Sequence, residues 1–235
     1  MSRHWPTLTV VSLFAGLVLL ALGYWGAWLP HPAAGLNILG IDLPEYVKFV
    51  PAVQTGQISL DRLIFFAPLL ALALGLILVG TLRRPDLPAW LRVPVVLLAI
   101  PTALAMLPPA WTPPLLRTPE FRAQTLWIGM IVVLAAFSPL LRRFLPDAVR
   151  GIVFVALALF VFPALTAYMR LLPALETLYG TAVKTGAAFY LVAAGAVCLG
   201  IGGLLLVVTG LVQRRASADS PTAVAGTAEV SDGLA

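Results

Sequence analysis

The chain has 235 residues, of which 60% are hydrophobic and only 11% charged, and its mean hydropathy is +0.99. Soluble domains carry roughly 25% charged residues, so a water-soluble globule is excluded: it has too little polar surface to cover this apolar content, whereas lipid solvates it. The net charge is +5, but the basic residues stand at the ends of apolar stretches rather than in one patch, which sets nucleic acid aside as a partner.

A helix needs about 20 apolar residues to cross roughly 30 Å of hydrocarbon. The first such stretch covers residues 8–29. A run of about 22 residues exceeds the roughly 7–15 of a signal-peptide core and no A-x-A site follows it, so it is expected to remain as a helix. Ser12 and Gly16 stand four apart on it, with Gly23 and Gly26 further on. Small residues at that spacing form faces on which helices approach closely.

The loop 30–62 follows, expected on the outer side. Asp42 and Glu45 have the spacing of a capping box, and Leu43, Tyr46, Val47 and Val50 share one helical face. This predicts a short helix over 43–50 lying in the membrane interface, ended by Pro51. The loop also carries His31, Asp42, Glu45 and Asp61, residue types that ligate metals or transfer protons. Their spacing matches no ligand signature, so they are candidates by residue type alone.

The second stretch, 63–82, ends in the pair Arg83–Arg84. The third, 93–111, is interrupted by Pro94, Pro101, Pro108 and Pro109, which predicts a kinked or partly re-entrant segment. If it does not cross, everything after it is inverted. Thr118, Pro119 and Glu120 read as an N-cap, a proline at the first helical position and an acid in the first turn. The fourth stretch, 123–141, follows and ends in Arg142–Arg143. The fifth covers 151–169, a loop over 171–186 comes next, and the sixth covers 187–213 and ends in Arg214–Arg215. The sixth carries Ala194, Cys198 and Gly202 at four-residue spacing, a second small-residue face.

The reading is an all-α polytopic helical bundle: one six-helix transmembrane domain over 1–215 and a disordered cytoplasmic tail over 216–235, low in hydrophobic content. The arginine pairs 83–84, 142–143 and 214–215 each follow an even-numbered span, which places them and both termini in the cytoplasm. Trp25, Trp28, Trp111 and Trp127 then fall near outer span ends, and Trp5 and Trp90 near inner ones.

No Asp, Glu, Lys or Arg need occupy the bilayer centre, which removes the usual mark of an ion path. There is no P-loop, HExxH, CxxC or G-x-S-x-G. No catalytic residue, cofactor or metal is therefore assigned. The expected role is a non-catalytic scaffold or accessory subunit in a membrane complex, with the lipid bilayer and other membrane subunits as partners. A permease subunit driven by a separate ATPase, and an integral-membrane enzyme built on the first outer loop, are the alternatives. High Ala, Leu, Pro and Arg usage points to a GC-rich bacterium and hence to its plasma membrane.

Overall fold

The structure is a computed structural model that describes residues 5–30, 37–83, 87–108 and 111–218, with side chains for all of these except 5, 6 and 213–218. It is 78% helical with almost no sheet. Among the described residues four helical segments are long and apolar enough to cross a membrane: Thr7–Tyr24, Arg62–Gly80, Asp147–Tyr179 and Ala187–Val212. A fifth is a pair of helices, Pro119–Ala136 and Ser138–Phe144, bent by 66° at the break. This is a membrane protein by the length and apolarity of these helices.

Helix α1 (Trp5–Tyr24) ends five residues short of the expected span, and Ala27–Leu29 form strand β1, paired irregularly and antiparallel with β2 (Ile38–Leu39). The strand pair turns the chain back over the bundle end, where Gly40 N–H and Ile41 N–H bond to the carbonyls of Gly26 and Tyr24. The expected helix over 43–50 is broken into α2 (Leu43–Tyr46) and a 3₁₀ turn (Val47–Phe49), with α3 (Pro51–Gln54) after an extended Val50. Its apolar face does not lie in lipid: Leu43, Val47 and Val50 are buried in the core. The chain then enters α4 (Ala67–Gly80) through a 3₁₀ turn (Arg62–Phe66).

Every residue of α4 except Leu74 is buried. A helix apolar all round belongs inside, and α4 touches α1, α9, the shorter α5 (Ala89–Leu104) and α7 (Pro119–Ala136). The third predicted span is thus a 16-residue helix containing Pro94 and Pro101, ending at Leu104 rather than 111. It starts beside Gly80, whose position abuts Val96, and its end meets Gln124 near the start of α7, so it carries the chain from one end of the bundle to the other. A one-turn helix α6 (Pro113–Leu116) leads into α7. The fourth predicted span is α7 plus α8 (Ser138–Phe144), broken at Phe137 ahead of Pro139.

Helix α9 (Asp147–Tyr179) continues about 10 residues beyond the predicted fifth span, through Pro163 and Pro173, so much of the expected 171–186 loop is helical. At about 1.5 Å per residue its 33 residues exceed the hydrocarbon thickness. Gly180 ends it with φ of 65°, a left-handed cap that favours glycine. Helix α10 (Ala187–Ala218) extends past the predicted 215 boundary, and residues 219–235 of the expected tail lie outside the described part.

A close glycine-lined seam joins α1 to α10. Positions Gly16, Gly23, Gly195 and Gly202 bring the two helices so close that an added Cβ would meet the opposite helix at 2.6–2.9 Å. Ser12 Oγ donates to the Cys198 carbonyl at 2.8 Å across this seam. The far side of α10 packs on α9, where Gly151 and Gly203 abut each other's helices in the same way.

Candidate functional site

The charged groups collect at the two ends of the bundle. At the loop end, Glu45 from α2, Lys48 from the adjoining turn, Arg62 from the entry to α4 and Glu120 from the first turn of α7 form one cluster. Arg62 donates to the Glu45 carboxylate at 2.9 Å and to the Glu120 main-chain carbonyl at 2.8 Å. Lys48 donates to the Glu120 carboxylate at 3.0 Å and is also paired with Glu45. Phe121 lies under both cations, 5.0 Å from the Arg62 guanidinium and 5.7 Å from the Lys48 ammonium. Partial burial opposes the charge on Lys48, but the two carboxylates outweigh it and hold its pKa above the ordinary lysine value. The side chain of Arg62 is 11% exposed, so its pairs are partly shielded from water.

Tyr46 shares a 3.1 Å hydrogen bond with the Tyr179 hydroxyl, tying the loop to the end of α9. Burial, and then this bond, push the Tyr46 phenol well above its ordinary pKa.

The outer-loop candidates have separate structural roles. Asp42 is in helical conformation and makes no side-chain cap; it accepts from Leu39 N–H behind it at 3.3 Å instead. The predicted capping box is therefore absent, because Glu45 is drawn to Arg62 and Lys48. Asp61 caps the turn into α4, accepting from Leu63 N–H at 2.9 Å. His31 lies outside the described residues, among which no group of three His, Cys, Asp or Glu could hold a metal. Thr118 occupies the predicted cap position of α7, but its hydroxyl donates back to the Leu115 carbonyl at 2.7 Å.

At the opposite end, arginines converge on the carbonyl end of α8. Arg83 donates to the carbonyls of Arg142 (2.7 Å) and Arg143. Arg150, 0% exposed, donates to the carbonyls of Leu141 (2.9 Å) and Arg142 (3.1 Å) and to the Asp147 carboxylate. Cations at a helix C-terminus meet unsatisfied carbonyls and the negative end of the dipole. Arg84 and the side chains of Arg214 and Arg215 lie outside the described part. Beside this cluster is a cleft of about 380 Å³ lined by Gly80, Thr81, Arg92, Val96, Ser138 and Arg142, among others.

The interior of the bundle holds packing rather than chemistry. Trp28, predicted to sit at the interface, is buried; its ring packs edge-on against Tyr168 and Phe189 at 5.3 and 5.4 Å. The Trp28 carbonyl accepts from the Tyr168 hydroxyl at 2.6 Å and from Gly186 N–H at 2.7 Å. Sequence reasoning passed over Gln124, which is 0% exposed and donates to the Met106 carbonyl, joining α7 to the end of α5. The burial of Arg150 was likewise not anticipated; the Asp147–Arg150 spacing of three on a helix was the available signal. No family model matches the chain, and neither does any curated protein or solved structure.

Proposed function

We propose that this chain is a non-catalytic scaffold or accessory subunit of a membrane complex, spanning the bilayer six times with both termini in the cytoplasm of a bacterium. The observation that carries the reading is the Glu45–Lys48–Arg62–Glu120 cluster. Of the loop's candidates for chemistry, Glu45 is taken up in ion pairs with Lys48 and Arg62, in a cluster that fastens the loop to α4 and α7. Asp42 and Asp61 are likewise spent on main-chain N–H groups.

The six-span count draws support from the course of the chain, since α5 returns it to the loop end despite its 16 residues. The orientation draws support from Arg83, Arg142, Arg143 and Arg150 gathering at one end. The partner surface is read as the wall of α5 and α7, where Val93, Leu97, Leu98, Leu126, Met130 and Val133 are exposed.

Mild-detergent purification of the tagged chain from its native membrane, followed by mass spectrometry, tests this. A stoichiometric membrane partner is the expected result. A homo-oligomer with no partner overturns the accessory role, and stoichiometric recovery of an ATPase reassigns the chain as a permease subunit.

A further inference from the structure

We infer that α8 is an in-plane membrane anchor rather than the end of a span: it lies along the bilayer surface at the arginine-bearing end, with one apolar face in the acyl chains and Arg143 among the phosphates of anionic lipids. The helix leaves the line of α7 at a bend of 66°. Phe137, Leu140 and Phe144 have the i, i+3, i+7 spacing of one helical face and are 53%, 48% and 71% exposed. Leu141 and Leu145 turn the other way and pack against the core. Arg143 is exposed beside the apolar face, its guanidinium 5.6 Å from the centre of the Phe144 ring.

The depth of α8 follows from its neighbour. Arg92 and Val93 of α5 line the same cleft as Ser138, Pro139 and Arg142, so α8 stands level with the first turn of α5. That turn carries the exposed Trp90, and indoles settle among headgroups. A helix continuing straight from α7 would carry Phe144 past this level into water; the bend lays Leu140 and Phe144 along it. Seven residues are too few to hold a helix unaided. Here the last carbonyls are satisfied from within the protein, those of Arg142 and Arg143 by Arg83 and those of Leu141 and Arg142 by Arg150. The helix is therefore formed before it meets lipid. The two segments at this end, 82–92 and 141–150, hold six arginines against two aspartates, which is complementary to an anionic leaflet. Three apolar side chains beside an arginine suit the boundary between headgroups and acyl chains; a subunit interface takes roughly 20–30 residues a side.

The inference needs a bilayer and no partner subunit. Nitroxide labels on Leu140→Cys and Phe144→Cys test it through their collisions with oxygen and with a water-soluble nickel chelate, in the full chain reconstituted in vesicles of phosphatidylcholine and phosphatidylglycerol. Both carry Cys198→Ala, which removes the chain's one cysteine and keeps the carbonyl that accepts from Ser12. Both labels should favour oxygen and report one common depth, roughly 5–10 Å into the boundary. In phosphatidylcholine alone, nickel collisions at position 144 should rise about fivefold, the effect of one charge at an anionic surface, and Arg143→Gln should give the same rise with phosphatidylglycerol present. Should either labelled chain fail to fold, Phe137→Cys, on the same face, carries the same reading. Predominant nickel collisions would place α8 in water, and shielding from both reagents would place it under a protein. Depths at 140 and 144 that differ by about 6 Å would align α8 with the span. Each of these overturns the anchor, and nickel collisions that ignore phosphatidylglycerol overturn the role of Arg143.

Discussion

A Cβ placed on Gly16 would lie 2.9 Å from the carbonyl oxygen of Gly195, and a Cβ placed on Gly195 would lie 2.9 Å from the carbonyl oxygen of Gly16. The relation is reciprocal because the two glycines face each other across the α1–α10 seam. Backbone meets backbone there, so no flexible side chain can move aside. In lipid, where apolar burial adds little between helices, such close approach and the van der Waals contact it permits are what hold a helix pair together.

Gly16→Val and Gly195→Val should therefore each destabilise the bundle by about 1–3 kcal/mol or more, the range for over-packing. Gly129→Ala is the control. Nothing lies within 4 Å of its Cβ position, and a helix-interior glycine replaced by alanine gains roughly 0.5–1 kcal/mol. Thermal unfolding in one detergent should move the seam variants down and the control slightly up. Equal shifts would mean that the seam carries no special load.

Arg62→Ala removes the donor that joins Glu45 to the Glu120 carbonyl. Both carboxylates are a third to a half exposed and keep Lys48, so the cost to global stability is small, about 0.2–1 kcal/mol. The expected signature is local: protease cleavage within 51–61 should accelerate several-fold while cleavage near 180–186 stays slow. The swap Glu45→Arg/Arg62→Glu should recover part of the protection. Its failure to do so would assign the effect to Arg62 packing on Phe121 rather than to charge.

The same cluster sets a dependence on pH. Lys48 has a raised pKa in the folded protein, held up by Glu45 and Glu120 against burial, and the Tyr46 phenol is raised by burial and its bond to Tyr179. For both groups the protonated form is favoured by folding. Their stabilisation is present in full below their unfolded values of about 10 and is lost as pH rises through the higher folded values. Loop protection should therefore hold from neutral pH to about pH 10 and fall above it. Lys48→Met/Tyr46→Phe should flatten that fall; a parallel fall in the variant would place the titrating group elsewhere.

At the loop end of the bundle, Tyr168→Phe should cost only about 0.5–1.5 kcal/mol, because Gly186 N–H still satisfies the Trp28 carbonyl. Trp28→Ala should cost about 3–5 kcal/mol, since it empties the space between Tyr168 and Phe189. Melting temperatures of the two variants should differ clearly. If they coincide, the hydrogen bond and not the ring is what anchors this corner.

Asp147→Ala leaves the Arg150 guanidinium buried without its carboxylate, and removing one partner of a buried pair costs about 3–5 kcal/mol. Asp147→Ala/Arg150→Met should be less destabilised than Asp147→Ala alone. A double variant as unstable as the single would show that the bonds from Arg150 to Leu141 and Arg142, rather than the ion pair, hold α8.

Local hydropathy was sufficient to find the long helices, because in lipid every backbone N–H and C=O must be satisfied within its own segment. The runs that became α1, α4, α7, α9 and α10 are apparent in composition alone, as are the small-residue faces around Gly16 and Gly202. Their ends were not: α9 continues to Tyr179 and α1 stops at Tyr24, since helix termini depend on which neighbours satisfy them. The burial of Gln124 and the diversion of Glu45 from capping to pairing had no local signal. Each follows from a partner far along the chain: Arg62 is 17 residues from Glu45, and Lys48 is 72 from Glu120. Periodicity and spacing report which residues share a face of one helix, whereas ion pairs and clefts form between helices. Residue type therefore marked Asp42, Glu45 and Asp61 for chemistry, and the packing of α2, α4 and α7 turned Glu45 to ion pairing, while Asp42 and Asp61 accept from nearby backbone N–H groups.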